Sequence, residues 1–166
     1  MVSVSTCLLG GDSLGFETAA TQIRSLDAVK DVAADLFEAA RAVQANAHVP
    51  YSGFAVGAAL RTASGRIFAG ANVENAAFPE GICAEASAIG AMVSAGEREI
   101  VEVLTVADGD QLTTCCGGCR QKLREFAGPS TPVHAAGPDG VQRTFTLEEL
   151  LPTSFGPDHL RVEPKT

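Results

Sequence analysis

The chain has 166 residues, 46% hydrophobic and 19% charged, a composition that fits one globular domain with a real core and excludes a disordered chain. Its 12 Lys+Arg against 20 Asp+Glu leave a formal charge of −8, which argues against a basic surface built for nucleic acid or anionic lipid and leaves a small neutral substrate open. No apolar stretch is long enough to span a membrane, and "MVSVSTCLLGG" lacks the basic region of a signal peptide, so the cytoplasm is the expected compartment.

Residues 1–26 are low in charge, rich in small side chains and without periodicity, and are expected to form an extension that is disordered or packed on a neighbour. Residues 27–166 read as one domain with no internal repeat and no linker. From Leu26, "LDAVKDVAADLFEAARAVQANAH" places Val29, Val32, Leu36, Ala39 and Val43 at helical spacing, and "VPYSG" is expected to end that helix. "FAVGAALRT" and "RIFAGANVEN", joined by "ASG", read as a β-hairpin. Pro79 and Gly81 break the chain before Cys83, and "CAEASAIGAMVSAG" reads as a short helix ending near Gly96. A buried strand, "IVEVLTVAD", follows, then a helix, "CGGCRQKLREFAG", with two cysteines in its first turn. "TPVHAAG" and "VQRTFT" are two more strands around "PDG", "LEELL" is a last short helix, and "PTSFGPDHL" is a Pro/Gly-rich tail. Strands alternating with helices predict an α/β sandwich.

There are five cysteines, and an odd number in a reducing compartment points to metal or catalytic use before disulfides. Cys116 and Cys119 form a Cys-x-x-Cys whose two glycines are expected to let the backbone turn so that both sulfurs face one point. The alternatives are a pair of ordinary buried thiols and a thioredoxin-like redox pair, the second of which has no use for Cys83. Cys83 also sits at a helix start, where partial positive charge and free N–H groups favour a thiolate. Three thiolates aimed at one point suggest zinc with its fourth position left for water. Cys115, Cys7 and the three histidines lie in no spacing that suits a fourth ligand. Glu85 is turned by about 200° from Cys83 on an ideal helix, so it is expected to handle the proton of that water and not to bind the metal. Asn72 and Glu74 are expected at the end of an apolar strand, on one side of it, where a sugar suits them better than a core.

Together "PYSGFAVGAAL", "NVENAAFPEGICAE", "CGGCRQKLREF" and "ELLPTSFGP" resemble the small homotetrameric cytidine deaminases, over about Leu26 to Leu160. The resemblance implies a three-layer α/β/α sandwich around a mixed five-stranded sheet. It implies zinc, one per subunit, on Cys83, Cys116 and Cys119, with Glu85 as the catalytic acid–base in hydrolysis of cytidine and deoxycytidine to uridine and deoxyuridine, a step of pyrimidine salvage. It further implies that Asn72 and Glu74 hold the ribose 3′-hydroxyl, that Phe54 lines the base pocket, and that Ala84 meets the base through its backbone. Ala76 and Phe78 are implied as further substrate contacts. Phe155 is implied to stack on the base from a neighbouring subunit, giving a homotetramer with shared active sites.

Three positions depart from the commonest pattern of such proteins. Ala86 stands where many have an arginine bonded to the zinc thiolates, so helix N-termini and Arg120 are expected to balance the charge. Cys115 stands in place of a proline and Phe78 in place of a tyrosine. Rival readings are a deaminase of a cytosine-nucleoside antibiotic such as blasticidin S, which has less use for Asn72 and Glu74, and a non-catalytic zinc protein, which has none for Glu85.

Overall fold

The structure, a computed structural model, describes residues 33–160. The expected extension, residues 1–26, and the first part of the expected opening helix, with Val29 and Val32, lie outside the described residues.

Helix α1 spans Ala34–Gln44, four residues short of the expected end. "VPYSG" does not stop it. The His48 N–H donates to Asn72 O at 3.0 Å and the Glu74 N–H to His48 O at 2.8 Å, which draws the chain into an extended bridge beside Val73. The buried row is Leu36, Ala40 and Gln44, with Ala39 and Val43 only half-buried. Gln44 tolerates burial because its amide is satisfied: Nε2 donates to Ala55 O at 3.0 Å and Oε1 accepts from Arg41.

The predicted hairpin is β1 (Val56–Thr62) and β2 (Ile67–Ala71), with Gly65 at φ +85 in its turn. A single 3-10 turn, Phe78–Glu80, precedes α2 (Ala84–Ser94), and Gly96 at φ +90 follows it as expected. Then come β3 (Ile100–Ala107), α3 (Gly117–Arg124), β4 (Pro132–Gly137), β5 (Gly140–Thr146) and α4 (Leu147–Leu150). Thr146 caps α4 with a reciprocal bond pair to Glu149.

The five strands form one sheet in the order β2-β1-β3-β4-β5. All neighbours are antiparallel except β3 and β4, whose parallel pairing requires the crossover that α3 supplies. On one face α1 packs over β1, β2 and β3 around Leu36, Ala40, Ala59, Leu104 and Val106. On the other, α2, α3 and α4 bury Leu60, Met92, Ile100, Val103, Leu123, Val133 and Leu147. The expected three-layer sandwich around a mixed sheet is what forms.

Two glycines set how closely the helices approach. A Cβ at Gly57 would collide with the Ala40 carbonyl of α1. One at Gly70 would collide with the Ala88 N–H and come within 2.8 Å of Ala84 O in α2. Because α2 begins at the candidate site, Gly70→Ala is expected to push that helix off the sheet, costing about 1–3 kcal/mol. Thermal unfolding should show a midpoint several degrees lower, and turnover should fall with it.

Candidate active site

Cys83 and Cys116 are the residues that flank the starts of α2 and α3, both in extended backbone, with φ/ψ of −72/155 and −67/164. Cys119 lies one turn into α3. The three sulfurs lie within 4.8 Å of one another, with Cys83 Sγ and Cys116 Sγ 3.8 Å apart. The glycines of "CGGC" do not bring this about by a sharp turn. Neither has a positive φ, Gly117 has open space around its Cα, and both lie inside α3. The sulfurs converge because a residue just before a helix and one three places on share a face.

The donor set fits zinc. Four tetrahedral ligands with Zn–S near 2.3 Å place sulfurs about 3.8 Å apart, the spacing seen between Cys83 and Cys116. The charges agree. Burial, reinforced by the Cys116 charge, holds the Cys83 thiol above its ordinary value. Burial and then the Glu85 carboxylate do the same, more strongly, to Cys119. Burial also acts on Cys116, but the Cys119 N–H and the neighbouring thiols outweigh it and hold Cys116 below its usual value. Such a cluster can hold three thiolates only with a cation among them.

Glu85 is 3% exposed, and its Oε1 accepts from the Thr105 hydroxyl at 3.2 Å. Thr105, in β3, is equally buried. A cavity of about 170 Å³ joins Phe54, Asn72, Cys83, Ala84, Glu85 and Cys116 with Val56, Thr105, Thr113 and Thr114. These last four are residues that sequence reasoning missed. Only Thr105 carried a signal, as a polar residue inside an apolar buried strand.

Asn72 and Glu74 lie past the end of β2, not on it, because Val73 leaves the hairpin to bridge His48 and Ile82. Asn72 ties the pocket wall together: its Oδ1 accepts from Val56 N at 2.9 Å and its Nδ2 donates to Phe54 O at 3.0 Å. Glu74 Oε2 accepts from the Tyr51 and Ser52 N–H groups at 2.9 and 3.2 Å, and Oε1 takes no bond among the described residues. Bonds from Ser52 and Tyr51 hold its carboxyl below the usual range. Glu74 lines a separate hollow of about 360 Å³ that it shares with Tyr51, Ser52, Asn75, Phe78 and Gly81, not the cysteine pocket.

Phe78 is 74% exposed and packs edge-to-face on Tyr51 at 5.8 Å. Within one protomer it therefore lies outside the cysteine pocket, and so does Ala76. The reason is local: Asn75 Oδ1 accepts from the Ala77 N–H, and Pro79 starts the 3-10 turn that carries this segment outward. Phe155 is 57% exposed, stacks on His159 at 5.1 Å and lines neither cavity.

The expectation for Arg120 is corrected. Its donors go to Cys115 O, Leu150 O and Thr114 Oγ1 at 2.8–2.9 Å, so it braces α3 against α4 and neutralises no ligand sulfur. The starts of α2 and α3 are left to balance the thiolates. Cys115 belongs to the core, 1% exposed, where burial and then the Glu85 charge push its thiol up to about 11. It is an inert spectator.

The comparisons with known proteins agree with this geometry. The family model for the cytidine and deoxycytidylate deaminase zinc-binding region matches residues 31–135. The chain is 40% identical over 116 residues to a cytidine deaminase of Halalkalibacterium halodurans, covering 69% of this chain and 88% of that protein. It is 38% identical over 119 residues to a cytidine deaminase of Mycobacterium tuberculosis, covering 72% and 86%. The crystal structure of a cytidine deaminase from Burkholderia pseudomallei superposes with a TM-score of 0.70 at 36% identity, over 74% of this chain and 98% of that one. That of the Mycobacterium leprae enzyme gives 0.62 at 40% identity, over 72% and 97%. With the zinc-binding region matched across the span that holds all three cysteines and Glu85, and these relatives covered almost end to end, the chain belongs to the cytidine and deoxycytidylate deaminase family.

Proposed function

We propose that the chain catalyses hydrolytic deamination of cytidine and deoxycytidine to uridine and deoxyuridine, with release of ammonia, as a cytoplasmic step of pyrimidine salvage. The observation that carries this reading is a cluster of three sulfurs at two helix starts, two of which, Cys83 and Cys116, line one pocket with the buried Glu85 carboxylate. Cys83, Cys116 and Cys119 hold the zinc. Zinc in that position supplies the Lewis acidity that makes hydroxide available near neutral pH. Glu85 takes the proton released when water attacks C4 and delivers it to ring N3. It then moves the remaining hydroxyl proton to the C4 amine, so that the C–N bond breaks, ammonia leaves and the C4 carbonyl forms. Thr105 fixes one carboxylate oxygen of Glu85 for both transfers.

Phe54 and the Ala84 backbone confine the base, while Asn72 and Oε1 of Glu74 meet the ribose 3′-hydroxyl. Phe155 takes its part from a neighbouring copy, in a homotetramer whose sites are shared, and Ala76 and Phe78 are further substrate contacts. The exposure of Phe155 in the single chain supports this, because a large apolar side chain held in water calls for cover.

Absorbance-monitored deamination of cytidine, deoxycytidine, cytosine and blasticidin S, with zinc stoichiometry on the same sample, tests the reading. The two nucleosides should be turned over and the other two should not. Glu74→Gln should raise KM for cytidine about 10- to 100-fold, the size of a lost hydrogen bond to a charged group. The variant keeps an oxygen for the Tyr51 and Ser52 N–H groups, so the loop should hold. A fully zinc-loaded protein that leaves both nucleosides untouched, or prefers the antibiotic, would sink the proposal.

A further inference from the structure

Helix α3 presents two faces with different duties. Its first-turn sulfurs point to the metal cluster. Gln121 and Arg124 reach the C-terminal segment instead. Gln121 Nε2 donates to Phe155 O at 2.9 Å. Arg124, with a side chain only 12% exposed, donates through Nε to Ser154 Oγ at 3.1 Å and through Nη2 to Asp158 Oδ2 at 2.5 Å.

The same contact explains the glycine of "SFGP". Gly156 has φ −155, which any residue adopts, so its backbone does not demand glycine. Its place does: a Cβ there would sit 2.7 Å from the Arg124 guanidinium carbon, so a larger residue would have to push that arginine off its partners. Phe155 stands between Ser154 and Gly156, its backbone held on both sides and its ring 57% exposed. One hydrogen bond to its carbonyl and two to the side chains of Ser154 and Asp158 thus hold the segment of an aromatic whose own ring is largely exposed.

We propose that Arg124 and Gln121 are positioning residues that fix Phe155 in the pose in which it covers the nucleoside in a neighbouring copy's pocket. One helix then holds the metal of its own site and aims the aromatic wall of the next. The proposal rests on the reading of Phe155 given under the proposed function. Arginine is needed because only its fork reaches Ser154 and Asp158 at once; lysine is a point donor.

The test uses the full-length, zinc-loaded protein and the variants Phe155→Ala, Arg124→Lys, Gly156→Ala and the double variant Arg124→Lys/Phe155→Ala. KM, kcat, zinc content and assembly mass are measured for each. Arg124→Lys and Gly156→Ala are expected to raise KM for cytidine about tenfold, the scale of a weakened base–aromatic stack, with kcat and zinc content within about twofold. In the Phe155→Ala background Arg124→Lys should add nothing, because both changes act through one ring. Additive effects overturn the proposal, as does an unchanged KM in Arg124→Lys while Phe155→Ala raises it. An unchanged KM in Phe155→Ala itself overturns the reading of Phe155, and the proposal with it. Should Arg124→Lys fail to fold, Ser154→Ala removes a single bond and is judged by the same pairing with Phe155→Ala.

Discussion

Glu85→Gln is expected to reduce ammonia release by about 10²- to 10⁴-fold, the range for losing a positioned acid–base group, while zinc content and fold stay in place. The structure separates the two effects. Glutamine has the shape of glutamate and keeps an oxygen for the Thr105 hydroxyl, so the packing around a side chain only 3% exposed is undisturbed. Burying a neutral amide costs less than burying a carboxylate, so thermal stability should hold or rise. The variant also removes the charge that helps to hold Cys119 in its protonated form, so metal loading should be at least as good. What it cannot do is take a proton from water at C4 and give it to N3. Single-turnover assays at full zinc occupancy decide the matter: activity near wild type would mean that Glu85 is only a buried helix-start residue.

The metal cluster was legible in the sequence because it depends on local spacing. Cys116 and Cys119 share a face of one helix whatever the rest of the chain does, and Pro79 and Gly81 mark the start of the other helix. Helix geometry alone aligns the sulfurs, so the glycines of "CGGC" make no sharp turn. The hairpin and the buried strand were legible through period-2 patterning and turn chemistry. The end of α1 was not, because it is decided by an extended bridge between His48 and Val73, residues 25 positions apart, and no local signal carries such a pairing. The burial of Gln44 has no local signal either, because its partner, Ala55 O, arrives only when the hairpin folds back. Asn72 and Glu74 were placed on a strand that ends one residue sooner. Their bonds to the 51–56 loop show a structural duty that pattern alone did not suggest. Arg120 misled for the opposite reason. Its sequence neighbour is a ligand, yet its donors face α4.

Stripping the metal is expected to abolish turnover and to lower the unfolding midpoint by about 5–10 °C, the shift from losing a ligand held at about 100 times its Kd in a chain of this size. Cys119→Ser should reproduce most of this loss even with zinc in excess, because Cys119 is the fully buried member of the cluster and a serine hydroxyl is a poor donor for zinc. The pH dependence follows from the thiols. Without metal, Cys83 and Cys119 are both held above their ordinary values, first by burial, and so carry protons at neutral pH. Binding requires thiolates, so each proton must leave when the metal enters. Affinity therefore rises with pH until the thiols ionise unaided and falls on acidification. With two protons released, the change is about 100-fold per pH unit. Competition against a chelator of known pH-dependent affinity, run between pH 6 and pH 8, should recover that slope, and a flat profile would show that the thiols are already ionised. Cys116 is held lower, so it adds a third proton, and a steeper slope, only on the acid side of its own titration. The Cys116 sulfur, bonded by the Cys119 N–H at the start of α3, is thus the one the fold itself prepares as a thiolate. There the start of α3 supplies part of the charge balance that an arginine at position 86 would otherwise give.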